Sequence, residues 1–338
     1  DDLLGEYKED EEDGRYRNLV LYAKYVSDPV VMTFDTQGGS EIDDAILQRG
    51  ESIGELPTPH INGRVFQGWY TDPDCTQFYD ADTPVDEDIT LYAAWGQPSS
   101  DIDLFRFIYD SGDQEYAIAL ADNVNKADVE ELVLPSTYQG KPVTEVYSEG
   151  FAGCTNLTSV VIPRTVKLIA RESFMDCTSL KSVTVEGLVL NQIGYDVFKN
   201  CTSLEEFVLD ERAPLVYIYS DLFSESPKMR EKYEEENGLY YYRDILMGDE
   251  KTISSQNFEA EPGELTSLTI RKGTRSIAAL ALWNYRSADS AERISSLTVP
   301  EGVQYIAYLA LPFVKTLSLP SSLVYLDEGS SQYGSLWW

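Results

Sequence analysis

A single histidine, His60 in the stretch PTPHING, has to serve four cysteines and 58 carboxylates if this chain works as an acid–base or nucleophilic catalyst. A serine or cysteine triad needs an imidazole within hydrogen-bond reach of its nucleophile. The thiols of Cys154, Cys177 and Cys201 lie in a different part of the chain, and Cys75 follows a Pro-Asp turn. No phosphate-binding glycine loop, dinucleotide fingerprint, H-E-x-x-H or G-x-S-x-G is present. The cysteines form no C-x-x-C pair of the kind that holds zinc. The acidic runs DEEDG at 10–14 and DADTPVDED at 80–88 lack the ligand order of an EF-hand loop. Carboxylate number alone defines no glycosidase dyad, because the separation of such a pair is set by the fold. The sequence therefore offers no catalytic residue, no cofactor site and no metal site, and the expectation is a protein that is not an enzyme.

Aromatic side chains carry the better binding chemistry. The chain has 23 tyrosines, clustered at Tyr217/Tyr219, at Tyr240, Tyr241 and Tyr242, and at Tyr305/Tyr308 beside Trp283/Tyr285. Tyrosine gives a large contact area with one polar tip, and it can also stack on a sugar face. Tyr217, Tyr219, Tyr240, Tyr241 and Tyr242 are the candidate ligand-binding residues; the competing reading packs the same rings inside the fold. Three adjacent tyrosines in NGLYYYRD cannot all face inward on one strand.

The elements that must position these rings repeat. FAGCTNLTSVVIP at 151, FMDCTSLKSVTVE at 174 and FKNCTSLEEFVLD at 198 share the frame F-x-x-C-T-x-L, with Phe151, Phe174 and Phe198 spaced by 23 and 24 residues. A period of this length means a solenoid whose units are stable only when stacked. An aliphatic residue stands five places before each phenylalanine: Val146, Ile169, Ile193, and Ile218 before Phe223. The same spacing links Ile277 to Leu282 and Ile306 to Leu311, so the stack continues after the cysteine and threonine are lost. Leu157/Val160/Ile162, Leu268/Ile270, Leu297/Val299 and Leu317/Leu319 read as short strands, one per repeat in a parallel sheet. Thr158, Ser159, Lys181, Ser182, Glu205, Glu206, Thr266, Ser267, Ser295 and Ser296 would form its polar solvent face. The ladder cysteines are expected as small buried hydrophobes and not as crosslinks, since parallel side chains on adjacent rungs do not easily reach the disulfide dihedral.

These residues carry a resemblance. The F-x-x-C-T-x-L copies, the I-x-x-x-x-F spacing and strands ending at Pro163, Pro300 or Pro320 resemble the BspA-type leucine-rich repeats of bacterial surface proteins. The resemblance covers roughly residues 102–338 and implies a solenoid used for adhesion or recognition outside the cell. Residues 224–262 depart from the frame and read as an irregular insertion or a degenerate repeat, with Asn237-Gly238 a hairpin signal.

Upstream, Val30–Trp95 alternates β-formers with turn residues. Phe34-Asp35, Gly38-Gly39, Leu56-Pro57, Gly63, Phe66, Gly68-Trp69-Tyr70, Asp72 and Leu91-Tyr92-Ala93-x-Trp95 resemble the Listeria-Bacteroides repeat, the internalin B-repeat with a β-grasp-like fold. Arg64 departs from it, where an aromatic is more usual. Leu21-Tyr22-Ala23 and Tyr25 align with Leu91-Tyr92-Ala93 and Trp95 at an offset of 70, which reads as the last strand of an earlier copy.

The expected fold class is mixed α/β and β. Residues 1–28 are the tail of a preceding repeat, 29–97 a small β-grasp-like domain, and 98–338 the leucine-rich-repeat solenoid with its parallel sheet. With 26 basic against 58 acidic residues and a net charge of −32, the chain repels phosphate backbones and anionic lipid, so nonspecific nucleic-acid or membrane binding is disfavoured, and the expected partners include no nucleic acid and no direct membrane insertion of this segment. The two resemblances together imply a monomeric extracellular protein of the bacterial cell surface, its signal and anchor outside this segment, that binds a host or neighbouring-cell protein or glycan. Two alternatives differ in class: a carbohydrate-binding or carbohydrate-processing module of a secreted enzyme, favoured by an exposed carboxylate pair in a tyrosine-lined groove, and a structural stalk.

Overall fold

The computed structural model describes residues 28–209, 217–254, 267–285 and 294–327. The tail of a preceding repeat, apart from Asp28, and Thr266 of the polar ladder lie outside them.

The first module is a four-stranded sheet. Its strands are β1 (Pro29–Asp35), β2 (Ala45–Gln48), β3 (Val65–Tyr70) and β4 (Ile89–Gly96), in the order β2-β1-β4-β3. The central β1–β4 pair is parallel and the outer pairs are antiparallel. Strict alternation in PVVMTFD turns Val30, Met32 and Phe34 inward against Trp69, Leu91 and Ala93. The indole N–H groups anchor loops, Trp69 donating to the Pro57 carbonyl at 2.8 Å and Trp95 to that of Thr36 at 2.9 Å. No helix accompanies this sheet among the described residues of the module.

The solenoid opens with the antiparallel hairpin Phe105–Asp110/Glu115–Leu120, whose second strand pairs in parallel with Lys141–Val146. Two parallel ladders follow where the sequence suggests one. Glu131–Val133, Ser159–Ile162, Ser182–Val185 and Glu206–Val208 form the first, and Lys141–Val146, Leu168–Ile169 and Gln192–Ile193 the second. The second exists because the aliphatic residue five places before each phenylalanine pairs with its counterpart one turn away, Val146 with Ile169 and Ile169 with Ile193. Among the described residues helix is confined to single turns, Pro227–Arg230 and Glu250–Ser254 being the α-helices, so the α part of the expected mixed class is slight there.

Between the two ladders the phenylalanines stack. Phe151, Phe174, Phe198 and Phe223 lie ring over ring, with centroids 5.5, 6.0 and 5.9 Å apart and planes within 15° of parallel. Phe105 closes one end edge-on at 6.4 Å, and Tyr242 closes the other at 5.2 Å. Cys154, Cys177 and Cys201 sit beside this column, free and fully buried. The thiols of Cys177 and Cys201 point at the carbonyls of Phe151 and Phe174 in the preceding repeat, at 3.3 and 3.1 Å. Burial pushes the Cys201 thiol up to about 12, which marks an inert packing group.

Of residues 224–262, those described, 224–254, supply strands to the stack. Asn237 and Gly238 both adopt positive φ, 57° and 79°, turning Glu234–Glu236 back on Leu239–Tyr242. The next strand, Ile245–Asp249, pairs in parallel with Ser276–Ile277 and becomes a rung, followed by Tyr305–Ile306 and Tyr325–Leu326. Leu282 and Leu311 take buried positions in these later turns.

The two modules are docked through polar side chains. Arg164 donates from Nε to the Gln67 side-chain oxygen at 3.0 Å and from Nη2 to the Trp95 carbonyl at 3.2 Å. Gln67, 4% exposed, passes the contact on to Glu186 at 2.8 Å. Lys141 reaches across to Asp80 and Asp82 at 2.7 and 2.9 Å. Ser136, whose hydroxyl donates to the Gln67 backbone carbonyl at 3.4 Å, follows the end of a first-ladder strand as Arg164 and Glu186 do, so the small sheet rests on three consecutive rungs.

Candidate recognition surface

Tyr217 and Tyr219 flank Ile218 in an extended segment bridged to Gln192 on one side and Ala279 on the other. Ile218 is buried and the two tyrosines are half-buried, as alternation requires. Their rings meet edge-on at 5.7 Å and their hydroxyls are hydrogen-bonded to each other. Burial is the main cause that raises both phenols above their usual range, so they remain neutral donors.

This pair continues across neighbouring turns. Tyr195 packs edge-on against Tyr219 at 5.7 Å. Arg171, one turn further, donates to the Tyr195 hydroxyl at 2.9 Å and lies 5.9 Å from its ring centre. Half-buried Tyr305 and exposed Tyr325 add a register pair on later rungs. Arg171–Tyr195–Tyr219–Tyr217 is thus one strip crossing successive turns, each member held by the next. Sequence reading finds the Tyr217/Tyr219 end of it. Arg171 and Tyr195 are missed, although both stand two places after the aliphatic marker, at Ile169 and Ile193.

The NGLYYYRD tyrosines divide. Tyr240 is half-buried and bonded to the Glu250 carboxylate, which raises its phenol. Tyr241 is fully buried, its hydroxyl accepting from the Arg271 backbone N–H at 3.0 Å while the guanidinium lies 4.3 Å from its ring centre. Tyr242, 8% exposed, packs on Phe223 and Tyr233. A register shift between Tyr240 and Tyr241 breaks the alternation and lets both later rings face inward. Tyr241 and Tyr242 are placed to hold the rung, and Tyr240 is the ring of the three nearest solvent.

The first ladder presents an open polar face, with Glu131 and Glu206 exposed and Ser159, Ser182 and Thr184 half-buried. A separate parallel pair, Ser296–Thr298 with Thr316–Ser318, exposes Ser296, Thr298, Thr316 and Ser318. Beside the strip, the third residue after each of the aliphatic markers Val146, Ile169, Ile193 and Ile218 is acidic: Glu149, Glu172, Asp196 and Asp221. The first three adopt positive φ between 55° and 57°, and Arg171 and Lys199 partly neutralise them. Asp221 is buried with one carboxylate oxygen unpartnered. Burial, reinforced by Asp196, pushes its carboxyl up to about 6. Among the described residues, no group of three His, Cys, Asp or Glu is arranged to hold a metal. His60 is exposed on its loop, whereas Cys75 is 2% exposed and its thiol is raised by burial.

Comparison with known proteins follows these segments. Residues 125–238 match the BspA type leucine rich repeat region, in six copies, and residues 31–94 match the Listeria-Bacteroides repeat domain. This chain carries both repeats. Two proteins of Evansella cellulosilytica are similar: one described as a Gly-rich membrane protein, 30% identical over 44% of this chain, and one described as a membrane protein, 33% identical over 36% of it. The chain spans only 17% and 18% of the length of these relatives. Among solved structures, a leucine rich repeat protein of T. pallidum is 20% identical, with 68% of this chain and 92% of that one covered at a TM-score of 0.36. One from Bacteroides ovatus is 16% identical, covering 66% and 77% at a TM-score of 0.27. No helix among the described residues is long and apolar enough to cross a membrane.

Proposed function

We propose that this chain is a non-enzymatic recognition segment of an extracellular bacterial surface protein, monomeric, which binds a protein of a host or neighbouring cell through its solenoid. The observation that carries this reading is the Arg171–Tyr195–Tyr219–Tyr217 strip, with Tyr240 a further half-exposed ring. Arginine and tyrosine are the residues that dominate binding hot spots, and rings already fixed by one another lose little conformational entropy on contact. The BspA-type repeats and the membrane-protein descriptions of the relatives support a place at the cell surface. The net charge of −32 favours a neutral or basic partner over a polyanion.

The test is binding of the intact chain to an array of extracellular-matrix proteins and glycans at about physiological ionic strength. For a protein hit, Tyr195→Ala combined with Tyr219→Ala is expected to weaken binding by about thirtyfold or more, each lost hot-spot ring costing roughly 1–2 kcal/mol. Binding that survives the double substitution with the melting temperature unchanged would remove the strip from the interface.

A further inference from the structure

The polar docking of the two modules leaves a cleft of about 390 Å³ between them. Ligand sites favour such junctions, and this volume lies at the small end of their range. The small sheet contributes Phe78, Gln77 and Asp80, and the solenoid contributes Glu115, Lys167 and Val189.

Two features show that the cleft walls are fixed before any ligand arrives. Phe78 is backed by Gly68, which has φ 111°; a Cβ there would stand 2.6 Å from the ring, so only glycine leaves the phenylalanine its place. The ring is further held edge-on by Tyr70 at 5.6 Å. Opposite, both oxygens of Glu115 are engaged, one by Lys167 at 2.5 Å and the other by the Thr144 hydroxyl at 2.8 Å. The carboxylate still has lone pairs to offer, and the ammonium, on a half-exposed side chain, still has protons.

We infer that this cleft binds a single neutral or amino-sugar unit, free or at the end of a glycan. A pyranose has one apolar face, which fits a fixed aromatic ring, and a rim of hydroxyls that both donate and accept, which fits a carboxylate–ammonium pair with a glutamine amide beside it. An aliphatic or aromatic peptide side chain would leave that charged pair facing apolar surface. Among the lining residues, Asp80, Asp113 and Glu115 outnumber Lys167, so sialic and uronic acids are repelled. The site exists only where both modules are present, and it is separate from the tyrosine strip.

The experiment is saturation-transfer NMR on the intact chain with methyl glycosides of mannose, galactose, glucosamine and N-acetylglucosamine, and with N-acetylneuraminic and glucuronic acids as controls. At least one neutral or amino sugar is expected to receive saturation, and neither acid. Glu115→Gln, which keeps a hydrogen-bond acceptor but loses the ion pair, is expected to weaken that sugar about tenfold. Thr76→Trp fills the cleft from its wall and is expected to abolish the signal; Thr76 is held by its backbone N–H on Asp72, so the fold keeps that bond. The tyrosine-strip double variant should leave the sugar signal intact, which separates failure of this site from failure of the strip. Silence from every neutral and amino sugar, preference for the acids, or a signal that survives both cleft variants would overturn the inference.

Discussion

Along the solenoid, rungs are joined by phenylalanine rings 5.5–6.0 Å apart that repeat every turn and exclude water. Between the modules, the join is made by Gln67, Arg164, Glu186 and Lys141, whose contacts are specific and do not recur from turn to turn. The first kind of contact is additive and nearest-neighbour, so it can be extended by adding turns. The second has one geometry, so it fixes where the small sheet sits and thereby shapes the cleft beside Phe78 and Glu115. Repetition builds the length of this molecule, and single polar contacts decide what is placed along it.

The sharpest way to break the comparison is to remove a ring from the column. Phe174→Ala leaves a cavity between Phe151 and Phe198 in a place that two neighbouring turns cannot easily collapse, and it is expected to cost about 3–5 kcal/mol. Urea unfolding of the intact chain measures this. An unchanged midpoint would mean that the stacked rings are not what holds the turns together.

The column is also the part most legible in the sequence, for the same physical reason. A contact made to the next turn by the same residue type leaves a period, and Phe151, Phe174, Phe198 and Ile169, Ile193 announce their burial by spacing alone. The Asn237-Gly238 turn is legible too, because few residue pairs accept two successive positive φ angles. The second ladder is less so: Leu168–Ile169 and Gln192–Ile193 are two-residue strands, too short for alternation to show. Tyr241 and Tyr242 escape because a register shift overrides the alternation that their sequence obeys. Gln67, Arg164 and Glu186 leave no trace, since an unrepeated contact between distant segments has no period. The cleft is hidden for that reason as well, although Gly68 and Phe78 both lie in the matched repeat.

Asp221 is a flaw inside the otherwise dry stack, and it gives the next largest effect. Its carboxyl, raised to about 6 from an ordinary 3.8, is buried among Asp196, Glu225, Lys199 and the rings of Tyr219 and Tyr233. Because the folded state holds this proton more tightly than the unfolded state, Asp221 lowers stability progressively as pH rises from about 4 to 6 and does so fully above that. The shift corresponds to something on the order of 2–3 kcal/mol. Asp221→Asn is expected to raise the melting temperature at pH 7.5 and to leave it nearly unchanged at pH 3.5. Equal effects at both values would show that the carboxylate is neutralised by Lys199 instead of by a proton.

The smallest effect in free energy is the most telling about the docked modules. Arg164→Ala removes the donor to both the Gln67 side chain and the Trp95 carbonyl, leaving a 4%-exposed amide without that partner, at a cost of roughly 1–3 kcal/mol. That cost falls on the junction and not on the rungs, so calorimetry is expected to resolve the single melt of the intact chain into two, with the solenoid transition unmoved. Arg164→Lys should not restore the single melt, because one ammonium on a flexible stem cannot serve two acceptors held at the Nε and Nη2 positions of a planar fork. If Arg164→Ala still melts as one unit, the contacts that remain, Gln67 with Glu186 and Lys141 with Asp80 and Asp82, hold the modules together. Combining Arg164→Ala with Gln67→Ala and Lys141→Met would then have to split the melt for the polar join to stand as the device that positions the cleft.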